Sequence, residues 1–479
     1  MKKLFLLLLI LCIAVSTKAY DFKAGSIFYS IVSSTAPYTV AVTFETSSYR
    51  SYSGAVVIPS TVSNNSITYT VTKIGTLAFT ASNGLSSVSI PSTVTTIQDW
   101  AFISCPNLTD VNIPGSVTTI GDGIFWGCAM LSSISIPASV KKIGLYLAYG
   151  CWGLTQINAD AANTNFSSVS GLLYNKDKTT LVAYPPGKPD LSYTIASTVD
   201  TIGNSAFGYC KNLTSITIPS SVVYITGHAF LECTGLTSVY IPSSVTYFDN
   251  NPFYDCAAMT AVNVDPANQY MKSVDGVLFN KALTTIIYYP PGHTGSSYVI
   301  PSTVTYVRSS VFLNCLGLTS VTIPASVTTI RSGLFSGCSN MNTINAYSPT
   351  PVDLTSVTVD ESRNVFLGVD TTTCVLHVPV GSKNLYAAAF QWKGFSHIVE
   401  GFTSGLASTT VTNLKASGQN GQIQVSGVVI GETIRVYTLQ GVELYKQKAT
   451  TTTTTIDIAL HGIYIVKTDL VGKGKKVLL

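Results

Sequence analysis

Residues 113–135, IPGSVTTIGDGIFWGCAMLSSIS, contain the pattern that decides the fold. Near copies of these 23 residues stand at 218–240 and 323–345, where Ile-Pro, Val, Ile, Phe and Cys keep their positions. A fixed period of this length is typical of a solenoid, because one unit cannot bury its apolar face alone and does so by stacking on its neighbours. The sequence therefore predicts one continuous, elongated core built from 23-residue coils.

Each coil is predicted to contribute an inward-facing strand and a turn. In the L-x-x-V-x-I pattern that ends at Ile113, apolar side chains point inward and Asn112 points outward. A short helical turn is predicted at residues 124–128 on the opposite side. One phenylalanine per coil should stack as an internal aromatic column, namely Phe102, Phe125, Phe207, Phe230, Phe253, Phe312 and Phe335.

The N-terminal 19 residues have the features of a secretory signal peptide, with Lys2 and Lys3, an apolar run and a small-residue cleavage site at Ala19. The apolar run of 12 residues is shorter than the roughly 20 that a membrane-spanning helix needs, so no transmembrane segment is expected. Lipid attachment to Cys12 is the weaker alternative, because bulky Leu11 stands where a small residue is expected. Residues 20–57 alternate apolar and polar side chains and are predicted to form an N-terminal β-hairpin cap.

Residues 58–400 are predicted to form the solenoid, whose regular spacing is interrupted twice. The spacing is 59 residues from Pro137 to Ala196 and again from Pro242 to Pro301, which leaves a 36-residue insert in each place. The inserts contain SVSGLLYNKDKTTLVAYPPGK (168–188) and SVDGVLFNKALTTIIYYPPGH (273–293), offset by 105 residues. Each is predicted to be a β-hairpin closed by Pro-Pro-Gly, and the constant offset indicates that a block of several coils was duplicated.

Charge and cysteine content narrow the function classes. Without residues 1–19 the chain keeps 24 of its 27 basic residues against 23 acidic ones, which gives no nucleic-acid signature. The solenoid carries 16 basic and 19 acidic residues.

Eight cysteines recur at one position of the coil, and Ser82 fills that position in the first coil. A position that accepts Ser is a packing position, so buried free thiols are predicted, with disulfides between neighbouring coils as the alternative.

The coil pattern I-P-x-S-V-x-x-I-x-x-x-A-F-x-x-C-x-x-L-x-x-V resembles the BspA-like, treponemal-type class of leucine-rich repeats. The YPPG inserts and the closing segment Cys374–Glu400, CVLHVPVGSKNLYAAAFQWKGFSHIVE, are similar to that family as well. The resemblance implies an α/β, β-rich leucine-rich-repeat solenoid with a C-terminal cap. It also implies a secreted or surface protein of host-associated bacteria, a group in which several members are adhesins. The family offers no catalytic residues to carry over.

Residues 401–479 have a different pattern, with short alternating segments that predict a small C-terminal β-sandwich. The stretches RVYTLQGVELYKQ and IDIALHGIYIVKT, followed by a basic tail, resemble the sorting domain of the type IX secretion system. That resemblance implies an export signal at this end of the chain.

Two sets of residues are candidates for partner binding. The first is the outward strand position, where the candidates are Asn112, Ser135, Thr217, Tyr240 and Thr322; any solvated strand carries such side chains, so a purely structural role is the alternative. The second is Trp126 and Trp152 in outward positions of neighbouring coils, which with Tyr146 and Tyr149 are candidates for an aromatic anchor. Packing of these rings against the edge of the coils is the competing interpretation and the favoured one.

No residue pattern predicts catalysis, a cofactor or a metal site. The five histidines lack metal-ligand spacing, and Asn158-Ala159-Asp160 with its counterpart at 263–265 is interpreted as a turn-capping pair in preference to a calcium site. The predicted function is non-catalytic protein–protein interaction or adhesion outside the cell or on its outer surface, with a host matrix or bacterial surface protein as partner. The alternative is glycan binding through exposed aromatic residues. A β-solenoid enzyme such as a polysaccharide lyase is disfavoured by the sparse charge.

Overall fold

The computed structural model describes residues 19–45, 51–249, 251–355 and 364–402, and seven strands between residues 415 and 478. The predicted signal peptide, apart from Ala19, lies outside these residues. The chain divides into two compact units, Met1–Gly401 and Phe402–Leu479, which are described one at a time.

The first unit is the predicted solenoid of stacked coils, and each regular coil adds one strand to each of two parallel sheet faces. Register follows the repeat, so that Ser135 pairs with Asn158 and Thr119 with Lys142. The strands of the first face are Ser53–Val57, Gly84–Ser89, Asp110–Asn112, Ser133–Ile136, Gln156–Ala159, Ser192–Thr194, Ser215–Thr217, Ser238–Ile241, Ala261–Val264, Ser297–Val299, Ser320–Ile323 and Thr343–Ala346. The strands of the second face are Ile67–Ile74, Thr96–Ile97, Thr119–Ile120, Lys142–Ile143, Thr201–Ile202, Tyr224–Ile225, Tyr247–Phe248, Tyr306–Val307 and Thr329–Ile330.

The two ends of the solenoid are capped. At the N-terminal end Phe22–Ala24, Ile27–Ser33 and Thr39–Thr43 form an antiparallel meander, and Thr61–Asn64 pairs with Ile67–Ile74. Ser53–Val57, at the end of the predicted cap, pairs in parallel with Gly84–Ser89 and so belongs to the sheet of the solenoid. The C-terminal cap consists of Val375–Pro379, the helix Lys383–Ala388, a 3₁₀ turn at Trp392–Gly394 and the strand His397–Phe402.

The third side of each coil, here called the turn face, is not helical. Two residues per coil, four positions apart, have left-handed backbone conformations, for example Trp100 with φ 59° and Ser104 with φ 58°. Alternate N–H groups then point along the solenoid: Trp100 donates to the carbonyl of Asp122 at 2.8 Å and Phe102 to that of Ile124 at 2.9 Å. The predicted short helical turn at 124–128 is wrong because Gly123 and Gly127 have φ values of 56° and 75°, whereas a right-handed helix needs negative φ throughout.

The predicted phenylalanines are all buried and most stack on their neighbours. Phe79 and Phe102 have ring centroids 5.0 Å apart, and Phe207 and Phe230 have centroids 5.1 Å apart. The column is interrupted at Ala148, which fills the phenylalanine position before the first insert. Tyr184 and Tyr289, which end the insert hairpins, restart it by packing on Phe207 and Phe312.

The inserts divide the core into three hydrophobic clusters, so the predicted single continuous interior is wrong. Each insert is a three-stranded antiparallel meander. Both faces of the meander are apolar and buried. Leu173 belongs to the preceding cluster while its neighbours Leu172 and Tyr174 belong to the following one. Because successive strand residues face opposite sides, one meander separates two cores. The strands are Phe166–Val169, Leu172–Asn175 and Thr180–Ala183, then Met271–Val274, Val277–Asn280 and Thr285–Tyr288.

The cysteines of the described chain are buried and free, which confirms the predicted packing role. The Cys128 thiol donates to the carbonyl oxygen of Phe102 at 3.2 Å, and Cys151 repeats this bond to Phe125 at 3.0 Å. Burial raises the pKa of the Cys151 thiol to about 12. The predicted Cys12 lipidation site lies outside the described residues.

The second unit contains two antiparallel sheets, as predicted for a small β-sandwich. Two of its strands, Lys415–Gln419 and Val471–Leu478, were not anticipated from the sequence. The first sheet comprises Lys415–Gln419, Gln422–Ser426 and Thr453–Asp457. The second comprises Glu443–Lys448, Thr433–Thr438, Ile463–Thr468 and Val471–Leu478.

Candidate interaction surfaces

The five predicted strand positions lie on the outward side of their strands. Tyr240 is 51% exposed and pairs with Asn263 on the next strand, and Thr322 is half-buried and pairs with Asn345. Asn112, Ser135 and Thr217 are exposed. The strands therefore present small polar groups in register, although binding by these residues remains a prediction.

The two predicted tryptophans occupy different environments. Trp152 is 59% exposed, and its ring stacks on Tyr209 with centroids 5.7 Å apart and an interplanar angle of 23°. Trp126 is half-buried, and the centroid of its ring lies 3.9 Å from that of Tyr149. Tyr149 itself is buried. The competing interpretation, packing against the coil edge, thus describes Trp126 and Tyr149, whereas Trp152 is displayed as predicted.

These rings belong to a longer cluster on the turn face, here called the aromatic belt. Its members touch in sequence: Trp100 with Trp126 at 5.5 Å, Trp126 with Tyr149, Tyr149 with Tyr209 at 5.1 Å, and Tyr209 with Trp152. Three of the four tryptophans of the chain lie in it, so the belt concentrates the type of residue most often found at binding hot spots. The belt consists of Trp100, Trp126, Tyr146, Tyr149, Trp152 and Tyr209.

At the N-terminal end of the belt three half-buried rings pack together. The Trp100 and Tyr146 rings are within 24° of parallel, with centroids 6.4 Å apart. Trp126 is tilted against both, at 60° to Trp100 and 56° to Tyr146, with centroid distances of 5.5 and 5.6 Å. These distances are those of aromatic rings in contact, so the three rings form one packed cluster.

Glycines make room for the rings. A Cβ atom at Gly123 would lie 2.1 Å from the Trp100 ring, and one at Gly208 would lie 3.3 Å from the Tyr149 ring. Trp100 and Tyr146 both sit at the left-handed position of the turn, where φ is 59° in each. The aromatic side chains therefore depend on small residues in the following coils.

Two carboxylates, Asp99 and Asp122, belong to the coils that carry these rings. Asp99 accepts a hydrogen bond from the Asp122 N–H at 2.9 Å, and Asp122 accepts one from the Leu145 N–H at 2.8 Å. The ion pair found among the described residues joins Lys188 to Asp190, so in that part of the chain no cation lies within 4.0 Å of Asp99 or Asp122. Both negative charges therefore remain without an ionic partner there.

The belt crosses the place where the first insert, residues 160–195, separates two regular coils; we call this place the first junction. The Tyr146 hydroxyl lies 3.3 Å from Nδ1 of His228, and the Tyr149 hydroxyl donates to Glu232. Desolvation raises the pKa of the Glu232 carboxyl and lowers the pKa of the His228 imidazole. A cavity of about 190 Å³ lies beside these contacts, lined by residues such as Leu145, Tyr146, Tyr184 and Ser205.

At the second junction, at the insert 265–300, amides replace two of the rings of the first junction, while Tyr254 keeps the position of Tyr149. Asn251 takes the position of Tyr146, and its side-chain nitrogen lies 3.5 Å from the carbonyl oxygen of Ser310. Asn314 takes the position of Tyr209 and donates to Asp255 at 2.7 Å. The same backbone arrangement is therefore closed without rings at the positions of Tyr146 and Tyr209.

Four functional candidates were not identified from the sequence: Trp100, Tyr209, His228 and Glu232. Trp100, Tyr146 and His228 share one position of the aligned coil, so the period alone places them in one row. What the period does not reveal is that the first insert lets Tyr146 reach a residue 82 positions away.

The other predicted features fit a structural role. Asp160 accepts a hydrogen bond from the Ala162 N–H at 2.8 Å, and Asp265 does the same for Ala267, which is the turn-capping arrangement. Within the described residues, no three His, Cys, Asp or Glu side chains are grouped so as to hold a metal ion. Nor does that part of the chain have a helix of the length and apolarity needed to cross a bilayer.

Stacked coils with parallel strands in register define a repeat solenoid. The family model for the BspA type leucine rich repeat region matches six copies, at residues 59–170, 191–294 and 292–357. These matches span more than half of the chain, and the protein therefore belongs to this family, whose members are leucine-rich-repeat proteins. No curated protein matches the chain.

Several solved structures are similar to the chain. A leucine-rich repeat protein from Eubacterium ventriosum is 25% identical, over 69% of this chain and 90% of that one, with a TM-score of 0.47. A leucine rich cell surface protein from Faecalibacterium prausnitzii is 22% identical over 69% and 95% of the two chains, with a TM-score of 0.34. The pneumococcal vaccine antigen PcpA is 15% identical over 81% and 100%, with a TM-score of 0.33.

Proposed function

We propose that this leucine-rich-repeat protein is secreted or held on the outer cell surface, where it mediates adhesion by binding a host matrix or bacterial surface protein. Membership of a repeat family supports a protein-interaction role. The signal-peptide features at residues 1–19 and the resemblance of residues 401–479 to a sorting domain support export. Catalysis has no part in the proposal.

The observation that carries the proposal is that the fold does not require aromatic rings at the belt positions of Tyr146 and Tyr209. At the second junction Asn251, Ser310, Asn314 and Asp255 close the same arrangement with polar contacts. Partly exposed Trp and Tyr side chains are costly to leave in water, and they supply most of the binding energy at protein interfaces. The belt is therefore best explained as a binding surface.

The outward strand ladder provides a second, flatter surface. Ser135 and Tyr240 stand on strands with in-register neighbours, so their side chains are held at fixed spacings by the coils. A rigid display of this kind lowers the ordering entropy that binding costs. We propose that the ladder aligns the partner along the solenoid and that the belt supplies most of the binding free energy.

Purified mature protein, immobilised and exposed to a panel of host matrix proteins and bacterial surface extracts, tests the proposal. The expected result is saturable binding to at least one protein component. A variant with Trp126→Leu and Tyr209→Asn, which uses residues found at these positions in other coils, should bind less. The matched control is Tyr306→Thr on the second strand face. Absence of any binding above background would refute the function.

Glycan binding is the second candidate, and the exposed Trp152 favours it. Its ring and that of Tyr209 lie within 23° of parallel, and Lys211 Nζ sits 3.9 Å from the Tyr209 centroid. Lys211 covers the Tyr209 ring, so the exposed Trp152 ring is the one that can stack on the apolar face of a sugar ring. Glycan-array signals that persist unchanged in Trp126→Ala and Trp152→Ala would exclude these residues.

A further inference from the structure

We infer that the cavity at the first junction is a binding site for an aromatic ring that carries one hydroxyl group, that is, for a phenol. This inference goes beyond the proposed adhesion function and does not depend on it, because it rests on a cavity between two coils and not on the outward strand positions.

The cavity lies where small residues stand in place of large ones. The two inserts and their flanking coils are copies offset by 105 residues, so each position at the first junction has a counterpart at the second. Ala148, Ala183 and Gly203 line the cavity, whose volume is about 190 Å³. Their counterparts at the second junction are Phe253, Tyr288 and Arg308. The first junction thus keeps the same backbone arrangement and lacks two rings and a guanidinium group.

At the second junction these large side chains fill the space between the coils. Phe253 and Tyr288 are buried with ring centroids 5.6 Å apart, and the Tyr288 hydroxyl donates to the carbonyl oxygen of Phe253 at 3.4 Å. Arg308 Nη1 donates to the carbonyl oxygen of Phe248, the last residue of a strand, at 3.3 Å. The second junction therefore shows what completes this arrangement, namely aromatic carbon and a hydrogen-bond donor.

The first junction has a carbonyl oxygen at the place where this donor binds. In a regular coil the carbonyl at this position accepts the backbone N–H of the next coil, as Ile120 does from Gly144 at 2.9 Å. Ile143 holds this position at the first junction and lines the cavity. Gly203, the counterpart of the arginine, donates its N–H to Leu181 at 2.9 Å and has no side chain to reach Ile143. A hydroxyl group of a ligand can take the place of the guanidinium donor.

The size and lining of the cavity favour a single ring. A cavity of about 150 Å³ is enough for benzene. The larger volume here, about 190 Å³, admits one ring with a small substituent. Leu147 and Val182 provide apolar lining, whereas the half-buried Asn204 and Ser205 are polar. Leu145 also lines the cavity and is 45% exposed, so the cavity meets solvent at this residue.

The lining also favours a neutral donor over a cation. Among the described residues that line the cavity, none is charged. Glu232 and His228 lie nearby but are hydrogen-bonded to Tyr149 and Tyr146. Burying a cation without a counter-ion is costly, whereas a buried hydroxyl needs only one acceptor. A phenol therefore fits the site better than an amine or a guanidinium.

The second junction supplies substitutions that should fill the cavity. Ala183→Tyr and Ala148→Phe each introduce the residue found at the counterpart position. Both substitutions thus have a precedent in the same backbone arrangement, and the melting temperature of each variant checks that it folds. Thr119→Tyr is the matched control, because it adds a tyrosine at the coil position where Tyr224 and Tyr247 stand half exposed on the second strand face.

Calorimetric titration of the full mature protein with p-cresol and with toluene tests the inference, because the two ligands differ only in the hydroxyl group. We expect p-cresol to bind one-to-one with a dissociation constant of about 1 mM or tighter. Toluene should bind about fivefold more weakly, because it lacks one hydrogen bond. Ala183→Tyr and Ala148→Phe should each weaken p-cresol binding by about tenfold or more, because the added ring occupies the cavity. Thr119→Tyr should leave the binding unchanged.

A competition titration distinguishes two sources of the ring. Displacement of p-cresol by the peptide GGYGG would assign the site to a tyrosine side chain of a protein partner. Binding of p-cresol that the peptide does not displace would assign it to a free phenol. Both results support the site, and they differ only in what delivers the ring.

Four outcomes would overturn the inference. The first is no binding of p-cresol at concentrations well above the expected dissociation constant. The second is binding that both filling variants leave unchanged, which would place the ligand elsewhere. The third is an equal loss of binding in Thr119→Tyr, and the fourth is toluene binding as tight as that of p-cresol. Because the titration uses no adhesion partner, its failure leaves the proposed function standing, and a failed adhesion assay leaves this site standing.

Discussion

The two junctions are built from the same insert but differ on the turn face. In both inserts a buried asparagine, Asn163 or Asn268, donates to two carbonyl oxygens of the preceding coil and accepts two backbone N–H groups. In both a lysine, Lys176 or Lys281, donates to the carbonyl of that asparagine. On the turn face, by contrast, Asn251 and Asn314 of the second junction replace Tyr146 and Tyr209 of the first, while a tyrosine is kept at the position of Tyr149.

The comparison shows which contacts the fold requires and which positions can vary without changing the fold. The hydrogen bonds around Asn163 and Asn268 match across a 105-residue offset because they fix the meander to the coil below. The turn-face side chains differ because either rings or hydrogen-bonded amides can fill the gap that the insert leaves. Residues that change between copies while the fold stays the same are the ones open to selection for binding.

The largest expected loss of stability tests whether the buried tyrosines of the two junctions are equally important. Tyr184→Ala and Tyr289→Ala should each reduce the free energy of unfolding by about 3–5 kcal/mol, because each removes a buried ring at the start of an aromatic column. Urea unfolding followed by circular dichroism measures this, with the exposed Tyr240→Ala as a control expected to cost little. A large loss at only one junction would contradict their equivalence.

The next effect distinguishes the junctions. Asn314→Leu should cost about 1.5–3 kcal/mol, because it leaves the buried Asp255 carboxylate without its donor. Tyr149→Phe should cost about 1 kcal/mol, because the half-buried Glu232 keeps access to water. Both values come from the same unfolding measurement. A larger loss of stability for Tyr149→Phe than for Asn314→Leu would contradict the expectation that the first junction depends less on its polar contact.

The smallest effect is a pH dependence at the first junction. Desolvation raises the pKa of Glu232 above its ordinary value of 4.5, so the folded protein holds this proton more tightly than the unfolded chain. Its stabilising contribution is present at pH values below 4.5 and is lost as the pH rises through the pKa of the folded state. Glu232→Gln should therefore raise the melting temperature at pH 7, with a difference that shrinks near about pH 4.

Melting curves at the two pH values check this, and Asp177→Asn on the exposed insert turn is the matched charge-removing control. A stabilisation that is equal at both pH values would show that the carboxylate charge is not its cause. A comparable gain in the control would point to the overall charge of the chain instead.

Sequence patterns anticipated much of the fold and less of the candidate surface. The buried Phe230 and Cys233 and the exposed Tyr240 were predicted because each recurs at a fixed position in a coil whose inward side is set by apolar spacing. Trp126 was harder to interpret: its position is on the turn face, but whether its ring is free or covered depends on Tyr149 in the next coil. Tyr209 and Glu232 were missed because they meet Tyr149 across the insert.

The sequence by itself determined the coil, its period, its inward residues and the duplication of the inserts. The reason is that regularly spaced apolar side chains can be buried only when successive coils stack on one another. The tertiary structure decided that the inserts divide the core in three, since strand alternation turns their two apolar faces toward different coils. It also decided which side chains meet at the first junction. Contacts such as that between Tyr146 and His228 depend on the path of the insert between them, and no local pattern encodes that path.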